Sequence, residues 1–182
     1  MAFLGTGNLT IRLSLIVLLA IRVHAQAAVA DEYQVKAAFL YNFAKFVEWP
    51  PGAFRSAQDP ITICVLGPNP FDDSLKEAVR GKTLDGRMFV VRQTLDVQQG
   101  TGCHILFVNP SERMRFQSML EALRTNSVLT VGETPGFAAE GGIVNFKLQG
   151  GKVRLEINVD AAERAKLRVS SKLLSLAEII KK

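Results

Sequence analysis

The spacing of apolar residues changes character twice along this chain. In residues 33–47 (YQVKAAFLYNFAKFV), Val35, Phe39, Phe43, Phe46 and Val47 recur at helical spacing, with Ala37, Ala38 and Ala44 between them. That pattern predicts an amphipathic helix. Glu48, Trp49, Pro50 and Pro51 end it, because proline cannot continue a helix. Short unbroken apolar runs follow: Ile61–Leu66 (ITICVL), Met88–Arg92, Cys103–Val108 (CHILFV) and Val128–Val131 (VLTV). The first predicts a buried strand and the others further strands. Helices fall between them. One is expected from Asn69 as cap and Pro70 as first residue to Gly81, the other from Asn109-Pro110-Ser111 to Arg124 with Ser111 as cap. Strand–helix alternation of this kind builds a parallel α/β sheet.

The last third has a different rhythm. Val144, Phe146 and Leu148 alternate with Ile143, Asn145 and Lys147, and Val153, Leu155 and Ile157 alternate with Arg154, Glu156 and Asn158. Gln149-Gly150-Gly151-Lys152 joins the two segments as a tight hairpin, since paired glycines tolerate positive φ. Strict alternation predicts one core face and one face that is wet or meets a partner. Asp160 is the expected cap of a helix over Ala161–Lys166. Ser170 or Ser171 caps a last helix, which carries Leu173, Leu174, Leu176, Ile179 and Ile180 to be buried. The fold expected is a single compact α/β domain: a mixed, mostly parallel sheet flanked by helices, with a C-terminal β-hairpin and helix.

Composition adds a compartment. Leu13–Ile21 (LSLIVLLAI) is an apolar run preceded by Arg12 and followed by small residues ending Ala28-Val29-Ala30, with a second cleavage pattern at Val23-His24-Ala25. This is the anatomy of a secretory signal peptide over residues 1–30, and its run is shorter than the ~20 apolar residues needed to span a bilayer. Removing it leaves residues 31–182 as one exported domain. Arg12 and Arg22 leave with the signal and no acid does, so the net charge falls from +5 to +3. The basic residues do not interleave with aromatics, which argues against nucleic-acid binding. Cys64 and Cys103 are the only cysteines. Two cysteines in an exported chain usually pair, with two buried free thiols as the alternative.

Catalytic chemistry is hard to assemble from these residues. After cleavage His104 is the only histidine, and it sits inside an apolar strand. There is no G-x-S-x-G turn and no phosphate loop, and G-P-N-P after the first strand is not a dinucleotide fingerprint. Asp72-Asp73 falls in the first turn of an expected helix, where carboxylates favour the dipole. Trp49 reads as a core plug at a helix end. No enzyme activity, cofactor or metal is expected.

Residues 33–50 (YQVKAAFLYNFAKFVEWP), 61–67 (ITICVLG) and 141–177, together with the VLTVGETPGFAAEGG passage, resemble the YfiR family of bacterial periplasmic proteins. The resemblance spans nearly all of the mature chain. It implies a compact α/β domain that represses an inner-membrane signalling protein, a diguanylate cyclase or a sensor kinase, and so limits cyclic di-GMP and biofilm formation. It also implies an outer-membrane lipoprotein as a further partner, and a homodimer. Cys64 and Cys103 match a cysteine pair of the family, which favours the disulfide; a second pair expected between Gly132 and Phe146 is missing. Glu156 and Asn158 match a strand motif and Arg168 matches an arginine near the last helix. Ala162 replaces a larger aliphatic residue, and Ser170 replaces a histidine. The expected recognition patch is therefore Arg154, Glu156, Asn158, Ala162, Arg168 and Ser170. A small-molecule sensor or solute-binding domain is the alternative reading.

Overall fold

The structure, a computed structural model, describes residues 29–181. The signal peptide read over residues 1–30 lies outside these apart from Val29 and Ala30, which belong to the described part of helix α1, residues 29–46. The strands are β1 (Val47–Glu48), β2 (Ile61–Leu66), β3 (Thr83–Leu84), β4 (Arg87–Thr94), β5 (Ile105–Val108), β6 (Leu129–Gly132), β7 (Val144–Gln149), β8 (Lys152–Asn158), β9 (Arg168–Val169) and β10 (Ala177–Ile180). The helices after α1 are α2 (Ser74–Val79), α3 (Val97–Gly100), α4 (Phe116–Leu123), α5 (Val159–Arg164) and α6 (Ser171–Leu174). Eight strands form the main sheet in the order β10-β8-β7-β6-β5-β2-β4-β3, and β1 pairs with β9 in a small second sheet. β4, β2, β5, β6 and β7 run parallel; β3 runs antiparallel to β4, β8 antiparallel to β7, and β10 parallel to β8.

The central strands are apolar throughout because both of their faces are covered. Ile61, Ile63 and Val65 of β2 pack in one cluster with Leu40 and Phe43 of α1 and Leu75 of α2. Cys64 and Leu66, the alternate residues, pack with Phe116, Met119 and Leu123 of α4. The core face of α1 is turned slightly from the one expected. Ala37, Leu40, Phe43 and Ala44 are buried, whereas Val35 is 40% exposed. Lys36 is buried on that same face, ion-paired with Glu32 and, at 2.5 Å, with Glu133 at the end of β6. The Tyr33 hydroxyl donates to the same Glu133 carboxylate at 2.8 Å. Burial and that carboxylate push the Tyr33 pKa up. This cluster ties α1 to the loop that follows β6.

Several helix starts differ from expectation, each for a local reason. Asn69 does not cap α2. Its Oδ1 accepts from the Phe71 N–H at 3.1 Å in a separate turn, and Asp72 adopts a left-handed φ of 47°, so the helix begins only at Ser74. Asp72 and Asp73 therefore precede the helix. Asn109, not Ser111, caps the next segment, accepting from the Ser111 N–H at 2.9 Å. That segment opens as a 3-10 turn (Pro110–Arg115) before becoming α4. Asn158, not Asp160, caps α5.

The largest departure is the C-terminus. Ser170 does cap a helix, accepting from the Leu173 N–H, but that helix is the single turn α6. The chain then becomes β10, registered in parallel on residues 155–158 of β8. Strand pairing supplies backbone partners that a lone short helix lacks, and the β-branched pair Ile179-Ile180 suits a pleated edge. Leu176 and Ile179 stay exposed. The hairpin turn is as expected, with Gly150 and Gly151 at φ 57° and 71° and Gln149 opposite Lys152.

Candidate recognition surface

The helices stop covering one sheet face beyond β6. Leu155 and Ile157 of β8 join the α1 side of the core, so Arg154 and Glu156 must face the opposite way. On that side α4 covers β2 and β5, and Phe137 closes the end of β6 by packing on Phe116, the rings tilted by 30° with centres 4.5 Å apart. Phe137 lies so close to the backbone that a Cβ on Gly132 or Gly142 would meet its ring at 2.4 and 2.1 Å. The polar face of β7, β8 and β10 begins just beyond this seal.

Strand register builds that face into a ladder. Asn145 of β7 sits opposite Glu156 of β8, which in turn sits opposite Glu178 of β10. Asn145 Nδ2 donates to Glu156 Oε2 at 2.8 Å. Lys147 Nζ lies 3.1 Å from Glu156 and 3.5 Å from Glu178, bridging three strands. The hydrogen bond to Glu156 and the two negative charges raise the Lys147 pKa. Asn145 Oδ1 is buried without a hydrogen-bond partner among the described residues. Arg154, opposite Lys147, is exposed and makes no ion pair among the described residues. The face therefore presents an unpartnered guanidinium beside a fixed Lys–Glu–Asn constellation. It offers hydrogen bonds and charge, the materials of a polar protein contact.

The residues expected in one patch separate into three places. Arg154 and Glu156 lie on the ladder. Asn158 is fully buried, donating to the Ala138 carbonyl at 2.7 Å and accepting from the Ala161 N–H at 2.8 Å. Ala162 is 1% exposed within the core. Both are buried rather than on the surface: Asn158 is held as the cap of α5, and Ala162 packs in the core. Arg168 and Ser170 belong to the segment around β9. There Arg168 lies 3.8 Å from Glu48 of β1, and the Ser170 N–H donates to the Phe46 carbonyl. They sit with the end of α1, away from the ladder. The alternation of residues 143–148 places Asn145 and Lys147 on this face beyond the expected patch, and Glu178 joins it because the C-terminus is a strand, not a helix.

The cysteines are bonded to each other. Cys64–Cys103 links mid-β2 to the turn before β5, with Cα atoms 5.9 Å apart. Its neighbour His104 is a packing residue. Nδ1 accepts from the Thr62 N–H at 3.1 Å, which leaves the proton on Nε2 facing the Ala53 carbonyl at 3.3 Å. Phe54 stacks on the ring at 4.2 Å, and burial pushes the His104 pKa down. Trp49 meets the same ring edge-on, its Nε1 buried and unpartnered among the described residues. A cleft of about 730 Å³ opens beside this group, at the N-terminal ends of the parallel strands, with Arg55, Arg92 and Lys166 on its walls.

Solved structures share the fold, two of them as follows. A conserved domain protein from Vibrio cholerae O1 biovar El Tor aligns at TM-score 0.50 and 17% identity over 67% of this chain and 55% of its own. An ABC domain in complex with L-Trp from Streptococcus pneumonia aligns at TM-score 0.50 and 10% identity over 65% of this chain and 55% of its own. The chain thus spans a little over half the length of either structure. Comparison with curated proteins finds no match. The family comparison is positive across the domain: residues 33–178 match the YfiR/HmsC-like family, and the chain belongs to it.

Proposed function

We propose that this protein is a non-enzymatic periplasmic regulator that binds the periplasmic part of an inner-membrane signalling protein and represses it. A diguanylate cyclase, whose output is cyclic di-GMP, is the partner that the family membership favours; a sensor kinase would fit the same surface. The carrying observation is the polar ladder on β7, β8 and β10, with Lys147 and Arg154 exposed at its hairpin end, within a chain of this family. Its polar groups are held rigid by strand register, so they can meet a partner without first being ordered. An outer-membrane lipoprotein that competes for the regulator belongs to the same reading, as does a homodimer. The test is capture from solubilised membranes with the tagged protein as bait. Recovery of a transmembrane protein with a cyclase or kinase output, lost with Arg154→Glu, supports the reading. Recovery of no signalling protein overturns it.

A second reading, a periplasmic sensor of small molecules, draws on the cleft beside His104. A thermal-shift screen with amino acids, sugars and anions tests it, and no shift across the screen counts against it.

A further inference from the structure

The opposite end of the sheet carries an unoccupied strand position. β4 runs from Arg87 to Thr94, but its outer neighbour β3 pairs only Thr83 with Met88 and Leu84 with Arg87. The two are joined by a two-residue turn with Asp85 and Gly86 at φ 52° and 77°. In such a hairpin the residues flanking the turn exchange backbone hydrogen bonds, and pairing then alternates along the strand. Leu84–Arg87 is that flanking pair, so the backbone groups of Arg87, Phe89, Val91 and Gln93 point outward. The inner side agrees, since the Thr94 carbonyl accepts from the Gly67 N–H, on the β2 side. The N–H and C=O groups of Phe89, Val91 and Gln93 thus face outward with no strand beside them among the described residues.

The side chains around this edge select what it can take. A groove of about 340 Å³ adjoins it, with Val79, Phe89 and Val91 as apolar walls and Lys76, Arg80 and Lys82 as cations. Lys45 and Lys82 place their ammonium groups 4.3 and 4.1 Å from the centre of the Tyr41 ring. Neither is ion-paired among the described residues, whereas Lys76 and Arg80 have Asp73 and Glu77. Met88 and Val90, on the other face of β4, are 66% and 38% exposed. Natural sheets protect open edges with proline or inward charges because such edges recruit strands; β4 has no proline, and its outer positions are apolar at Phe89 and Val91.

We propose that the open edge of β4 is a docking slot for an extended segment of a partner protein, added to the sheet as a further strand and carrying acidic residues on the side that faces Lys82 and Lys45. Main-chain hydrogen bonds hold such a strand, and alternate side chains give specificity. The cations favour acidic over basic segments. This slot lies at the far end of the sheet from the ladder. Its test is therefore independent of the function proposed above.

Two labelled peptides of the same pattern, EVEIEVE and KVKIKVK, serve as probes in fluorescence anisotropy, with an EVEIEVE peptide N-methylated at alternate residues as a backbone control. The acidic peptide is expected to bind about tenfold or more tightly than the basic one. Lys82→Glu and N-methylation should each remove most of that binding. Amide exchange gives the sharper readout: saturation with EVEIEVE should slow the Phe89, Val91 and Gln93 N–H groups and leave Val90 and Arg92 unchanged. Equal binding of the two peptides, absence of binding, or protection without this alternation would overturn the proposal. So would a concentration-dependent dimer in which the free protein already protects the same three amides, because a second copy would then fill the slot.

Discussion

The two halves of the sheet solve opposite problems with the same kind of strand. In β2 and β5 every residue is buried, because α1 and α2 cover one face and α4 the other. In β7 and β8 the face opposite α1 is open only toward the hairpin: Lys147 and Arg154 are exposed and Glu156 is half-buried, while Asn145 and Asn158 on the same face are buried. The first half is cross-linked by a disulfide and sealed by Phe137; the second is held by strand register and a bridging lysine. The contrast teaches where stability and recognition reside. Substitutions at buried positions should act on folding, and those at the exposed hairpin end, Lys147 and Arg154, should act on partners.

Replacing both cysteines by alanine removes a link across 39 residues, and the melting free energy should fall by about 4 kcal/mol on chain-entropy grounds. Gly142→Ala drives a Cβ into the Phe137 ring, so chemical denaturation should report a loss of about 3 kcal/mol. Asn158→Ala removes a cap and orphans the buried Ala138 carbonyl. A loss of about 2 kcal/mol is expected, and a loss near zero would contradict its role as a buried cap.

His104 sharpens the contrast through pH. Its folded pKa lies below 6.5, so the unfolded state binds its proton first as pH falls. The stability it contributes is complete above about pH 6.5 and declines as the pH drops through the folded value. Denaturation midpoints at pH 7.5 and 5.5 should differ in the wild type and differ less in His104→Gln. The smallest effect belongs to the open half. Arg154→Glu should change stability by less than about 0.5 kcal/mol, since the side chain is exposed and pairs with nothing described.

The legible parts of the sequence were those in which one local rule decides. Unbroken runs such as ITICVL announced doubly covered strands. Alternation announced the hairpin, and Gly150-Gly151 its turn. Cap assignments were less legible because Asn109 and Asn158 compete with Ser111 and Asp160 nearby, and only the backbone path settles which oxygen meets a helix N–H. The C-terminal strand was hidden because apolar residues 173–180 match helical spacing, while the partner that makes them a strand, β8, lies far away in sequence. For the same reason Glu178 could not be joined to Glu156 and Lys147. Lys36 was equally opaque: nothing in its neighbourhood foretells a carboxylate 97 residues away.

The central claim is that the open half of the sheet is the surface that meets a membrane signalling protein. Site-specific photo-crosslinking in cells tests it most directly, with the photoreactive residue placed at Arg154 and, as a control on the covered half, at Gln98 of α3. The account predicts a crosslink from position 154 to an inner-membrane protein with a cyclase or kinase output, and none from position 98. The same membrane protein captured from position 98 but not from position 154 would contradict it.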